Sequence, residues 1–190
     1  MAKKALKVVI PTAPLKLDLG AGTRKAPGFL GVDIKKFDGV DIVQDLLKPW
    51  QWKNDTVAEI NMSHVIEHFT GPQRVFIMNE MYRVMQVGAK ATLTAPHWAS
   101  NRAYGDYTHQ WPPVSEMWFY YLSKTWRADN APHNDIRWST DGYSCDFDAT
   151  WGYALHPLLQ NRNQEYIQHA MTFWKESTPD IVATLIKKVA

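Results

Sequence analysis

The chain has a single cysteine, no long apolar run and almost no net charge. Cys145 stands alone among 190 residues, so no internal disulfide can form, and a reducing compartment is expected. No stretch approaches the roughly 20 apolar residues of a membrane-spanning helix. The N-terminal segment MAKKALKVVIPTAP starts with charge, but its apolar run stops at Pro11, short of a signal-peptide core. Together these absences point to a cytoplasmic protein without a membrane partner. Lysine and arginine number 21 against 19 acids, a net charge of +2 that calls for no nucleic-acid partner. Basic residues gather near the N-terminus (Lys3, Lys4, Lys7, Lys16, Arg24, Lys25, Lys35, Lys36), but acids soon interrupt them, as on a solvated face. No internal repeat and no low-complexity segment occurs.

Tryptophan, by contrast, is abundant. Seven of nine lie at or beyond Trp98, so the second half is built differently from the first. The length suits one domain, residues 1–190, with a sizeable core. Its first half alternates short β patterns with turns: 15–19, 29–34, 40–46, 57–63 and 89–96. A helix over 72–87 is predicted from Val75, Met78, Met81, Tyr82 and Met85, with Gly88 as its C-cap. Strands alternating with crossovers predict an α/β fold with a mostly parallel sheet. The link from Leu19 to Phe29 is too short for a full crossover helix, so that helix is reduced to a turn or missing. From about 97 to 135 the pattern becomes irregular and aromatic, with a short helix near 114–124, as in a lid or binding loop. A strand near 146–154, a helix near 158–175 and a strand over 180–189 complete the chain.

Three strand ends carry polar or turn residues on one rim of such a sheet, where open α/β sheets bind ligands. LDLGAG at 17–22 ends the first strand, and its glycines let a ligand approach the main chain. Asp33 ends the second, where an acid holds ribose hydroxyls in a nucleotide site. Asp45 ends the third and can meet an adenine edge. A further string, HVIEH at 64–68, matches the H-x-x-E-H signature of one zinc-hydrolase class through His64, Glu67 and His68. A strand precedes it and Gly71-Pro72 follows, which leaves little room for the long helix such a site needs.

The order LKLDLGAG…FLGVDI…VDIVQDL…SHVIEHF…NEMYRVMQVGAKATLTAP resembles the class I S-adenosylmethionine-dependent methyltransferases, nearest to a small subgroup with a short link between strands one and two. The likeness covers about residues 15–125, and PDIVATLIKKV resembles that family's terminal strand. It implies a Rossmann-like, mostly parallel seven-stranded sheet with an aromatic-rich insertion after strand five. It implies S-adenosylmethionine as cofactor and S-adenosylhomocysteine as product. By the same resemblance Asp18, Gly20, Ala21 and Gly22 wrap the methionine part, and Asp33 with Ile34 meets the ribose. Asp45 and Leu46 flank adenine, and Ser63 and His64 lie alongside the cofactor. In this family a string like HVIEH follows strand four and carries no zinc, so no metal is expected. One departure is Thr23-Arg24 in place of a third glycine; Arg24 either pairs with the methionine carboxylate or is solvated.

The segment PHWASNRAYGDYTHQW resembles the subgroup's loop with an Asp-x-Thr-His core. Methyl transfer from a sulfonium is an in-line displacement, and a neutral hydroxyl or amine acceptor also needs a base. His109 and His97 are the candidate bases, with Asp106 as an orienter of His109. Alternatively, His109 pins its loop. The aromatic rings either stack on substrate or pack a second small core, and for most of them the core reading is preferred. The expected acceptor is a small molecule or a sugar, lipid or peptide group. Three alternatives stay open. A cofactor-binding module without catalysis fits the Thr23-Arg24 departure. A nucleic-acid methyltransferase lacks support, because no Asn/Asp-Pro-Pro-aromatic motif follows strand four and no basic stripe is visible. The last is a zinc hydrolase through HVIEH.

Overall fold

A computed structural model of the chain describes residues 14–131 and 142–189. Lys3, Lys4 and Lys7 and the last part of the predicted insertion, 132–135, lie outside them. Seven strands form one sheet: β1 (Leu15–Leu19), β2 (Leu30–Asp33), β3 (Val40–Val43), β4 (Val57–Ser63), β5 (Met85–Pro96), β6 (Phe147–Ala154) and β7 (Asp180–Lys187). Their order is β3-β2-β1-β4-β5-β7-β6. The first five run parallel, and β7 is antiparallel to both β5 and β6. This is the mostly parallel α/β sheet that the alternation of patterns predicts.

Side-chain alternation decides the two faces. Leu17, Leu19, Val32, Ile60, Met62, Leu93, Ala183 and Leu185 are buried on one of them. Helix α1 (Gly71–Val84) supplies Ile77, Met78, Met81 and Val84 to the same core. Each buried Leu, Ile, Val or Met side chain is worth about 1.5–3 kcal/mol. The opposite face carries charge on its central strands: Lys16 and Lys90 flank Glu59 across three strands at 2.6 and 3.4 Å. The link from β1 to β2 contains only turns and bends. Gly31 is needed in β2 because a Cβ there would lie 2.3 Å from the carbonyl oxygen of Gly39.

Beyond shifts of strand ends, three features differ from expectation. Helix α1 ends at Val84, three residues early, because Met85 already pairs with Val57 as the first residue of β5. Gly88, at φ +77°, therefore sits in an irregularity of β5 rather than at a helix cap. The predicted helix over 158–175 narrows to α5 (Gln164–Phe173), where the side chain of Asn163 accepts from the Tyr166 N–H at 2.9 Å. Third, the irregular segment contains short helices α2 (Arg102–Gly105), α3 (Glu116–Tyr120) and α4 (Lys124–Asn130) rather than one. Most of its rings pack together, as the core reading holds. Phe119 stacks on Trp151 at 5.8 Å, Tyr120 on Trp126 at 5.6 Å, and Trp118 lies 5.1 Å from Phe119. Among the described residues, no helix is long and apolar enough to cross a membrane.

Candidate functional site

The C-terminal ends of β1 to β4 open onto two cavities. The first, of about 260 Å³, is lined by Asp33, Ile34, Gln44, Asp45, Leu46 and Val65, among others. Its wall is apolar and its rim carries carboxylates, a form suited to a planar base joined to a sugar. Asp33 also closes the glycine loop, since its Oδ2 accepts the Gly22 N–H at 2.9 Å. Asp45 lies two residues beyond β3, not at its end, and its Oδ1 accepts the Leu47 N–H at 2.9 Å in a tight turn.

The second cavity, of about 640 Å³, is lined by Asp18, Gly20, Ala21, Gly22, Ser63 and Arg24, among others. Asp18 is buried, and its two oxygens accept from Ala26 N–H at 2.7 Å and Asn61 Nδ2 at 2.6 Å. It thereby shapes the loop. Gly20 is obligatory: at φ +72° a Cβ would lie 2.3 Å from the Val65 side chain. The loop is thus pressed directly against the segment that follows β4.

His64 borders both cavities and a third. It holds φ +56°, a left-handed backbone that costs a histidine on the order of 1 kcal/mol. Burial pushes its imidazole below the usual range. The third cavity, of about 670 Å³, adds Glu67, His68, Arg102, Asp106, Tyr107 and His109 to His64 and Arg24. Arg24 lines both this cavity and the second one. Glu67 is almost fully buried, and burial pushes its carboxyl up to about 7. Its Oε2 has no hydrogen-bond partner. Burial likewise pushes His68 down.

The insertion brings His109 edge-on to His68, with ring centroids 4.8 Å apart. Asp106 Oδ1 accepts from the Thr108 N–H at 2.8 Å and hydroxyl at 2.7 Å, and that hydroxyl meets His68 Nδ1 at 2.9 Å. Asp106 Oδ2 lies 3.8 Å from His109 Nε2, whereas His109 Nδ1 is buried without a partner. His97 goes elsewhere. It is 1% exposed and lines none of the three cavities. Its Nε2 lies 3.0 Å from Glu116 Oε1, and its Nδ1 accepts the Ala99 N–H at 3.3 Å. The expected base role is thereby corrected: both ring nitrogens are committed to structure. The alternation Ala91, Leu93, Ala95 carries His97 to the core face, a signal present in the sequence.

Sequence reasoning missed three participants. Arg102 lines the second and third cavities and grips Asp180 with 3.0 and 2.9 Å bonds. Tyr107, 96% exposed, stands at the rim of the third. Arg74 of α1 is buried and donates to the carbonyls of Ile66, Phe69, Pro112 and Gln110. With the Gln110 N–H bonded to Glu67 O at 2.8 Å, it fastens the insertion over the site.

No family model matches the chain, and no curated protein matches it. Solved structures do. A SAM-dependent methyltransferase from Archaeoglobus fulgidus aligns with a TM-score of 0.61 at 16% identity, over 93% of this chain and 87% of that one. A SAM-dependent methyltransferase from Methanosarcina mazei aligns at 0.56 and 13%, over 93% of each chain. Geranyl diphosphate C-methyltransferase from Streptomyces coelicolor A3(2), solved with Mg2+, geranyl diphosphate and S-adenosyl-L-homocysteine, aligns at 0.53 and 12%, over 92% of this chain and 74% of that one. Likeness at such identities is a likeness of fold, and it agrees with the strand order found here. The chain has the fold of the class I S-adenosylmethionine-dependent methyltransferases.

Proposed function

We propose that this protein is a methyltransferase that uses S-adenosylmethionine and acts on a small molecule or a single exposed group of a larger one. The observation that carries this reading is the meeting of three cavities at His64: an apolar slot rimmed by acids, a glycine-loop cleft and a histidine-rich chamber. The residues present fit the cofactor. Ile34, Leu46 and Val65 offer apolar surface to adenine, and Asp33 has lone pairs left for ribose hydroxyls beyond the one given to Gly22. Gly20 and Gly22 leave the backbone bare beside the methionine part. Arg24 stands in the same cleft with a guanidinium suited to a carboxylate, in place of the missing third glycine. The cofactor supplies a methyl group on a positively charged sulfur.

The chain's own work is positioning. The insertion walls the acceptor chamber on the far side of His64. Asp106 Oδ2 stands 3.8 Å from His109 Nε2, and His109 Nδ1 is the ring nitrogen left without a partner at the chamber wall. The test is methyl transfer from methyl-labelled S-adenosylmethionine to panels of hydroxyl, amine and carboxylate acceptors, read as S-adenosylhomocysteine release. We expect turnover with one acceptor class, and a loss of about 10²–10⁴-fold in His109→Ala with cofactor affinity kept. Cofactor binding without turnover on any panel would favour a binding module.

A further inference from the structure

We propose that Glu67, His68 and His109 form a site for one divalent transition-metal ion at the wall of the acceptor chamber. The three side chains each offer a ligand atom, and these atoms lie within 4.8 Å of one another. Metal–ligand bonds near 2.1 Å place neighbouring ligands about 3.4 Å apart, so modest side-chain rotation closes the triangle. Two imidazoles and one carboxylate with further positions open is a donor set for zinc or ferrous iron rather than for magnesium or calcium.

Two independent observations point to a ligand. Glu67 Oε2 and His109 Nδ1 are both buried and have no hydrogen-bond partner. Their side chains are 5% and 10% exposed. Buried polar atoms are nearly always paired, and an unpaired buried carboxylate oxygen is costly. A cation between them satisfies both at once.

A polar group stands behind each imidazole, as behind metal-binding histidines: a hydrogen bond for His68 and a carboxylate oxygen at 3.8 Å for His109. The Thr108 hydroxyl donates to Asp106, so His68 Nδ1 must donate to that hydroxyl, and its Nε2 keeps the lone pair. His109 Nε2 faces the other oxygen of Asp106, and its Nδ1 keeps the lone pair. One carboxylate thus buttresses both rings. The chamber is open to solvent on its outer side, which gives an ion entry and leaves positions for water or an acceptor oxygen.

This site is not the H-x-x-E-H triple. The short turn after β4 cannot serve as a zinc helix, and His64 Nδ1 faces the other oxygen of Glu67, Oε1, at 3.4 Å. The downstream third ligand that the string lacks is supplied by the insertion. The expectation of no metal rested on the family resemblance and on the short room around that string, and did not weigh a ligand from the insertion.

The test uses full-length, tag-free protein stripped with chelator and titrated with Co2+, whose visible absorption reports coordination. We expect one equivalent per chain, displaced by Zn2+. His68→Ala and His109→Gln should abolish the bands, Asp106→Asn should weaken affinity about 10–100-fold, and His64→Ala should retain them. Thermal unfolding of each variant separates lost ligands from lost fold. Absence of stoichiometric Co2+ in the wild type, or bands that persist in folded His109→Gln, would overturn the assignment. S-adenosylhomocysteine titration of the same samples is a separate readout, so failure of the metal site leaves the cofactor reading to be judged by itself.

Discussion

Asp33 shapes the cleft in two ways: it ends β2 within the apolar slot, and it holds Gly22 in place. Asp33→Ala therefore removes charge-assisted bonds worth about 1.5–3 kcal/mol each, and calorimetry should show affinity for S-adenosylhomocysteine falling at least tenfold. Glu116 makes a different kind of prediction. Burial pushes its carboxyl up, but hydrogen bonds from His97, its own backbone and Tyr153 outweigh burial and hold it at about 2. A depressed folded value gives stability that is present above the unfolded value near 4.5 and lost as pH falls toward 2. That contribution is on the order of 3 kcal/mol, and Glu116→Gln should lose it at neutral pH, with an unfolding midpoint less sensitive to acid between those limits. Asp33 was legible in the sequence because an acid at a strand end needs only local pattern to be placed. The facing of Glu67 by His109 was not, because it depends on how the insertion returns across the sheet. The misplacement of His97 came from reading position along the chain without strand alternation.

At the scale of elements, α1 does more than cover the core. Its Arg74 binds four carbonyls, two from the turn after β4 and two from the insertion. Arg74→Met leaves those carbonyls unpaired and should lower stability by about 2–4 kcal/mol, measured by denaturant unfolding, with a larger loss of order in the insertion than in the sheet by hydrogen exchange. An arginine inside an amphipathic helix ordinarily signals a solvated face, so nothing local marked it as an anchor. Tyr107 supplies the contrast. At 96% exposure its replacement by alanine should change stability by less than about 0.5 kcal/mol while raising KM for the acceptor. The strands were legible from alternation and turn residues. The early end of α1 was not, because the pairing of Met85 with Val57 competes with its helical period.

Over the whole molecule, the division of labour follows the sheet. β1 to β4 present one set of ends to the first two cavities, and the insertion after β5 faces them with a chamber of its own. The first set was readable because glycines and acids recur at successive strand ends. The chamber was readable only in part: Asp106 and His109 stood out, while Arg102 entered through contacts between distant segments. The central claim is that S-adenosylmethionine occupies the cavities around Gly20 and Asp33, and calorimetric titration of the full chain with S-adenosylhomocysteine tests it most directly. Saturable binding at one molecule per chain, weakened in Asp33→Ala, is the predicted result; no binding by the folded wild-type protein, or equal binding by folded Asp33→Ala, would contradict it.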